Sequence, residues 1–262
     1  MRMACILCAA IMLICVPPQS QAQAPGQPDS QTAAKKDLTP EQIIQQFSQK
    51  ESEFYDAWMQ YMYTQTAVIK IVSKNGVPTN ENMRIVYEVV FKDDGTREVN
   101  ILRRADNLHT VSFTKEDEEV FENVHPFALT AKEIPLYNLI YLGKEKADEL
   151  NCHVFSVAPK KMQKGKMYFE GKIYVDDQDL QIVKTIGKAV PQTKNNQFPE
   201  FETIRQMIDG KYWFPVWTHA DSRLYFSQDT VRIEETVTYD DYKMFRAKTR
   251  ILSVSPTTPD PQ

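Results

Sequence analysis

The chain has 262 residues, with 31 basic and 35 acidic side chains, 42% apolar residues and 11% aromatic ones. Its net charge of −4 excludes the basic footprint of a nucleic-acid-binding domain, so no nucleic-acid partner is expected. The length fits one domain of about 200–250 residues or two small ones.

Residues 1–24 read as a signal peptide. Arg2 supplies one positive charge, Ala4 to Val16 form an apolar run, and Pro17 to Gln21 lead to small residues. The run is too short for a membrane span of about 20 residues. Cleavage fits after Ala22 or after Ala24, and either cut gives an exported protein. Without Arg2, the remaining 30 basic and 35 acidic residues carry a net charge of −5. Three of the four cysteines, Cys5, Cys8 and Cys15, lie in the removed segment, and none has the context of a lipid attachment site. Cys152 is left alone in the mature chain, so no intramolecular disulfide is expected. In its strand-like run it reads as a small buried hydrophobe.

Residues 25–38 (PGQPDSQTAAKKDL) lack the apolar content to offset the entropy of ordering them and read as a flexible leader. A single domain is expected over 39–254. Thr39, Pro40 and Gln42 form a capping box with proline at the first helical position. Ile43, Ile44, Phe47, Phe54, Trp58 and Tyr61 then share one face, which predicts an amphipathic helix over Gln42 to Tyr61.

The period then changes to two. Tyr63 to Ser73 and Met83 to Lys92 predict strands, the second with Met83, Ile85, Tyr87, Val89 and Phe91 on one face. Asp93-Asp94-Gly95 turns the chain into a strand over Thr96 to Arg104. In the interval Ala105 to Tyr141, Thr114 heads an acidic run. Thr130-Ala131-Lys132-Glu133 forms a second capping pattern ahead of IPLYNLIYL, and two short inserted helices are expected there. Further strands are predicted at Cys152 to Val157, Met167 to Val175, Leu180 to Val190, Phe201 to Ile208, Tyr212 to His219 and Val231 to Tyr239. Short turns such as Asp209-Gly210 make this an antiparallel meander. Residues 255–262 read as a disordered tail.

Asp176, Asp177 and Asp179 between two strands pose three alternatives: a cation site, catalytic acids or a turn. For a calcium loop starting at Asp177, Ile182 stands where glycine is needed and Lys188 where glutamate is needed, which favours a solvated turn. His109, His125, His153 and His219 are scattered, so no metal and no cofactor are expected. No nucleophile elbow and no glycine-rich phosphate loop are present, so the protein reads as non-enzymatic. A hydrolase using dispersed carboxylates is the third-ranked reading.

The stretches YLGKEKADELNCHVFSVAPKK, YFEGKIYVDDQDLQIVKTIGK and FETIRQMIDGKYWFPVWTHAD, in this order after a signal and an amphipathic helix, resemble the bacterial outer-membrane lipoprotein-sorting proteins of the LolA-like superfamily. Gly143, Pro159, Val175, Asp176 and Lys184 follow its loose pattern, while Asp148 and Glu149 stand where a second glycine is frequent. The resemblance covers Thr39 to Phe245. It implies an α+β fold, an incomplete antiparallel β-barrel whose concave face is covered by the N-terminal helix and the short helical insert. It also implies a periplasmic, monomeric carrier of lipoprotein acyl chains or other lipids with transient membrane contact. Strand alternation nominates Tyr87, Val89, Phe91, Tyr174, Met207, Trp213 and Trp217 as the ligand-binding residues. The runner-up is a sensor or scaffold that binds an envelope protein at a strand edge or at the insert.

Overall fold

The computed structural model describes residues 38–245 apart from 74, 93 and 227–229. The signal, nearly all of the leader, the end of the domain beyond 245 and the tail therefore lie outside the described residues. Helix α1 runs Pro40–Trp58. Its capping box is formed: the Gln42 backbone N–H donates to Thr39 Oγ1 at 3.3 Å, and the Thr39 N–H donates to Gln42 Oε1 at 2.9 Å. Ile43, Phe47, Glu51, Phe54 and Trp58 make one buried stripe. Tyr61, expected on the helix, opens the first strand instead. Its spacing of three from Trp58 suits a helix, but the chain turns at Gln60, whose carbonyl accepts from Phe245 N–H at 2.8 Å.

Ten strands follow: β1 Tyr61–Val72, β2 Pro78–Phe91, β3 Arg97–Asp106, β4 Tyr137–Ala147, β5 Leu150–Pro159, β6 Tyr168–Asp176, β7 Ile182–Val190, β8 Glu200–Ile208, β9 Tyr212–Tyr225 and β10 Thr230–Met244. They form one open sheet in the order β3-β2-β1-β10-β9-β8-β7-β6-β5-β4, so β3 and β4 are its edges. Every pairing is antiparallel, as the meander predicts. Neighbours in the sheet are neighbours in sequence except at one junction, where β1, third in the order, pairs with β10, the fourth.

The stretch between β3 and β4 departs from its expectation. Helix α2 is only Lys115–Glu119, and one π turn, Val120–Val124, continues it. Only half of the second capping box forms: Thr130 N–H and Oγ1 both donate to Glu133 Oε2, but the Glu133 N–H donates to the Thr130 carbonyl and not to its hydroxyl. It heads only a turn and the 3-10 stretch Ile134–Leu136, after which YNLIYL runs as strand β4. The predicted second helix is therefore corrected to a strand.

One sheet face carries α1 and the segment 108–136, and its buried side chains form two clusters. Ile43 and Phe47 pack with Phe127, Phe155, Phe169, Ile173 and Phe201. Phe54 and Trp58 pack with Tyr61, Tyr63, Tyr87, Phe121, Phe214 and Tyr239. On β6 and β7, Gly171 and Gly187 are directly paired. A Cβ at Gly171 would run into the Ile186 carbonyl, and one at Gly187 into the ring of Phe169. Gly187 thus leaves room for that ring, which stacks on Phe127 at 4.5 Å.

The three aspartates form a turn. Asp176 Oδ2 accepts the backbone N–H groups of Gln178 and Asp179 at 3.0 and 2.7 Å, and Asp179 Oδ2 accepts from Trp213 Nε1 at 3.1 Å. Their oxygens are used locally, as short turn side chains commonly are. Among the described residues, no three His, Cys, Asp or Glu side chains group as a metal site.

Candidate ligand-binding site

The seven nominated residues do not converge. Phe155 touches Phe47 of α1, so its neighbour Val154 points to the opposite face of the sheet. On that outer face Cys152, Val154 and Tyr174 pack together with Trp213 against them. The Cys152 thiol is buried, and desolvation first, then the Asp176 charge, pushes its pKa up to about 11, as suits a packing role. Trp217 neighbours Thr218, whose hydroxyl meets Thr203 on the helix side, so Trp217 also faces outward, stacked on His219 at 5.2 Å. Met207 is 41% exposed near the β8–β9 hairpin. Phe91 lies at the end of β2, stacked on Phe245 at 4.6 Å. Only Tyr87 and Val89 line a cavity on the helix side.

That cavity is small, about 120 Å³, and its walls include Trp58, Tyr63, Tyr87, Val89, Val99 and Phe121. The Trp58 ring stacks on Tyr63 at 5.9 Å, and Arg97 Nη2 donates to Tyr63 Oη at 3.4 Å. A larger groove of about 680 Å³ shares Tyr55, Trp58, Glu122 and Asn123 with it. The groove lies between α1 and the 119–137 segment; Phe127, Tyr137, Met167, Tyr168 and Phe169 line it together with the charged Asp56, Glu119, Glu122, Lys132, Glu133 and Lys166. Its size falls within the range of about 300–1,000 Å³ typical of small-molecule sites.

The roof of the groove is pinned to the helix and the sheet. Ala131 N–H donates to Ser52 Oγ at 3.0 Å, and Thr203 Oγ1 donates to the His125 carbonyl at 2.8 Å. Beneath it, Glu51 of α1 and Arg205 of β8 form an ion pair out of solvent, with Nη1 at 3.1 Å from Oε1 and 3.2 Å from Oε2. Glu51 Oε1 also accepts Ile182 N–H, and Arg205 donates to the carbonyls of Ile182 and Phe127. Burial raises the Glu51 pKa against the opposing pull of Arg205.

A second buried polar pair joins the π turn to β10. His125 Nε2 stands 3.2 Å from Glu235 Oε1, between the rings of Phe121 and Phe201. Desolvation pushes Glu235 up to about 8 and His125 down to about 3. Both are therefore neutral near pH 6. For Glu235 the folded value lies above the unfolded 4.5, so its favourable contribution is complete below pH 4.5 and is lost as pH rises to 8. The stability difference between wild type and Glu235→Gln should therefore fall by about 1.4 kcal/mol per pH unit across that window. Urea titrations at several pH values check this. A difference independent of pH would mean that Glu235 is ionised in the fold throughout.

Trp58, Tyr63, Arg97 and Phe121 were not nominated from the sequence. Trp58 was legible as a helix-face residue. What period two does not reveal is which sheet face receives the helix, and that choice separates Tyr87 from Tyr174.

No family model matches the sequence, and no curated protein matches it. Among solved structures, the chain is similar to a LolA superfamily protein from Nitrosomonas europaea, with 11% identity over 80% of this chain and 97% of that one and a TM-score of 0.37. It is also similar to an outer membrane lipoprotein-sorting protein domain from Vibrio parahaemolyticus, with 10% identity over 80% and 93% and a TM-score of 0.37. A DUF1329 family protein from Desulfovibrio piger matches with 11% identity over 80% and 92% and a TM-score of 0.36.

Proposed function

We propose that the protein is a periplasmic, non-catalytic carrier that takes up acyl chains in the groove between α1 and the 119–137 segment. The observation that carries this reading is the groove itself, which shares Tyr55, Trp58, Glu122 and Asn123 with the smaller aromatic pocket and has Phe127, Tyr137, Met167 and Tyr168 in its lining. Each methylene moved from water into such a lining contributes about 0.8 kcal/mol when fully buried. The export signal expected at residues 1–24 supports the location. The α1 helix and the segment covering the sheet would act as the closing elements of an incomplete barrel, and cargo would enter by their separation. Of the nominated residues, Tyr87 and Val89 belong to this site. Phe91, Tyr174, Met207, Trp213 and Trp217 would serve it only from outside the groove.

Native mass spectrometry of protein purified from the periplasm tests the reading. One acyl lipid per chain is expected to co-purify, and a fluorescent fatty acid is expected to bind after delipidation. Absence of both defeats the proposal.

A second reading, a module for an envelope protein, is favoured by edge strand β3. Val99, Ile101 and Leu102 are exposed there beside Arg103 and Arg104. An added strand could use its free hydrogen-bonding edge.

A further inference from the structure

A second cavity, of about 380 Å³, shares no lining residue with the acyl groove or with the small aromatic pocket. Its walls come from β1, the 108–117 segment, the 195–199 loop, β9 and β10. Phe113, Leu224, Phe226 and Ile233 give it an apolar side, and Thr110, Asn195, Asn196 and Gln197 a neutral polar one. Hydrogen bonds hold these walls in place. Glu81 accepts from the N–H groups of His109 and Thr110 at 2.7 Å each, and the Gln197 amide and the Tyr225 backbone bond each other reciprocally at 2.6 Å.

The ionisable side chains in the lining are Asp117 and Glu235, both acids. Asp117 Oδ2 is occupied in the cap of α2, where it accepts from Thr114 N–H and Oγ1. Glu235 is 5% exposed and is not so occupied. Its Oε1 is closed off from solvent beside His125, 3.2 Å from Nε2 and without a hydrogen bond. Oε2 also lacks a partner among the described residues but is not closed off, so it keeps surface in the cavity that Glu235 lines. An acid in such a place lacks the partner that a buried polar group needs.

The sign of that partner follows from the neighbours. Arg104 stands 5.5 Å from the centre of the Phe113 ring, but its guanidinium is paired with Asp106 at 3.0 Å. His125 is neutral, because burial pushes its pKa down to about 3. Two acids with no free cation beside them repel an anion and attract a positive charge.

We propose that this cavity binds a small organic ammonium ion, with ionised Glu235 as its counter-ion, Asp117 adding to the negative field, and the ligand's apolar part against Phe113, Leu224 and Phe226. The site does not depend on acyl carriage. Burial first, then the Asp117 charge, pushes the Glu235 pKa up to about 8, so the carboxyl is mostly protonated at pH 7. A bound cation favours the ionised form, and the Glu235 proton then passes to the buffer.

Calorimetric titration of the whole protein at pH 7 with phenethylammonium, phenethyl alcohol and phenylacetate tests this. The three are similar in size and differ in charge, and all are too short to stand in for an acyl chain. Phenethylammonium is expected to bind most tightly and to release about one proton per ligand, read from the difference in heat between phosphate and imidazole buffers. Glu235→Gln should weaken it by about 10–150-fold, the value of one hydrogen bond to a charged group, abolish the proton release and leave phenethyl alcohol unchanged. The proton count needs only the wild type, so it decides the matter even if the variant does not fold. The proposal is overturned if the alcohol binds as tightly as the ammonium, if phenylacetate binds more tightly, if the ammonium binds without releasing a proton, or if none of the three binds.

Discussion

Arg205→Met is expected to destabilise the protein by about 3–5 kcal/mol and to lower Tm by roughly 6–20 °C. Arg205 is 2% exposed, and its guanidinium is the only cation within hydrogen-bonding distance of Glu51 among the described residues. It also donates to the Ile182 and Phe127 carbonyls, so one side chain fastens α1, β7 and the covering segment together. Methionine fills similar space but leaves Glu51 charged in a dry interior, where removing one partner costs far more than the pair contributes. Glu51 would respond by taking up a proton, so the loss should be smaller at pH 4 than at pH 8. Adding Glu51→Leu to Arg205→Met should restore most of the stability, because the uncompensated charge is then gone. Thermal melts of the two variants decide the matter. Equal losses in the single and double variants would show that the charge of Glu51 is not what makes the single variant unstable.

Phe54→Ala should cost a comparable 3–5 kcal/mol. Phe54 is fully buried, stacks on Trp58 at 5.8 Å, meets Phe214 edge-on at 5.5 Å and lies 4.5 Å beneath the Arg205 guanidinium. Truncation therefore opens a cavity and removes the aromatic face beneath a buried cation. Because the two side chains touch, Phe54→Ala and Arg205→Met should not add: the double variant should lose less than the sum by about 0.5–3 kcal/mol. Strict additivity in urea denaturation would show that the ring does not support the cation. Since Trp58 stacks on Phe54, the same truncation should also loosen the small cavity that Trp58 walls.

The elements with a clean signal were legible. The Thr39 and Gln42 box fixed the start of α1, and the alternation of Met83, Ile85, Tyr87 and Val89 fixed the buried face of β2. Strand β4 was not legible, because it carries apolar side chains on both faces: Leu139 and Tyr141 are half-buried, while Ile140 and Leu142 between and beyond them are exposed. Without alternation, an apolar run behind a capping-box sequence pattern reads as a helix. The ion pair beneath the groove was hidden for another reason. Glu51 and Arg205 are 154 residues apart, and only the fold brings them together. A hint existed, however, since Glu51 occupies the stripe of Phe47, Phe54 and Trp58, where an acid needs a buried partner.

The pairing of β1 with β10 has a consequence for the order of events during folding. Tyr61 meets Met244 and Val72 meets Arg232, so one interior junction of the sheet joins the first of the described strands to the last. Until β10 is available, β1 to β3 can form only a short antiparallel ribbon with a bare apolar edge, and α1 has half of its seat missing. Such long-range closure slows folding and leaves the incomplete chain open to aggregation. The sheet can therefore become whole only after the last of the described strands has been synthesised, so its topology holds the larger, β4-to-β9 part apart from the β1-to-β3 ribbon until β10 arrives.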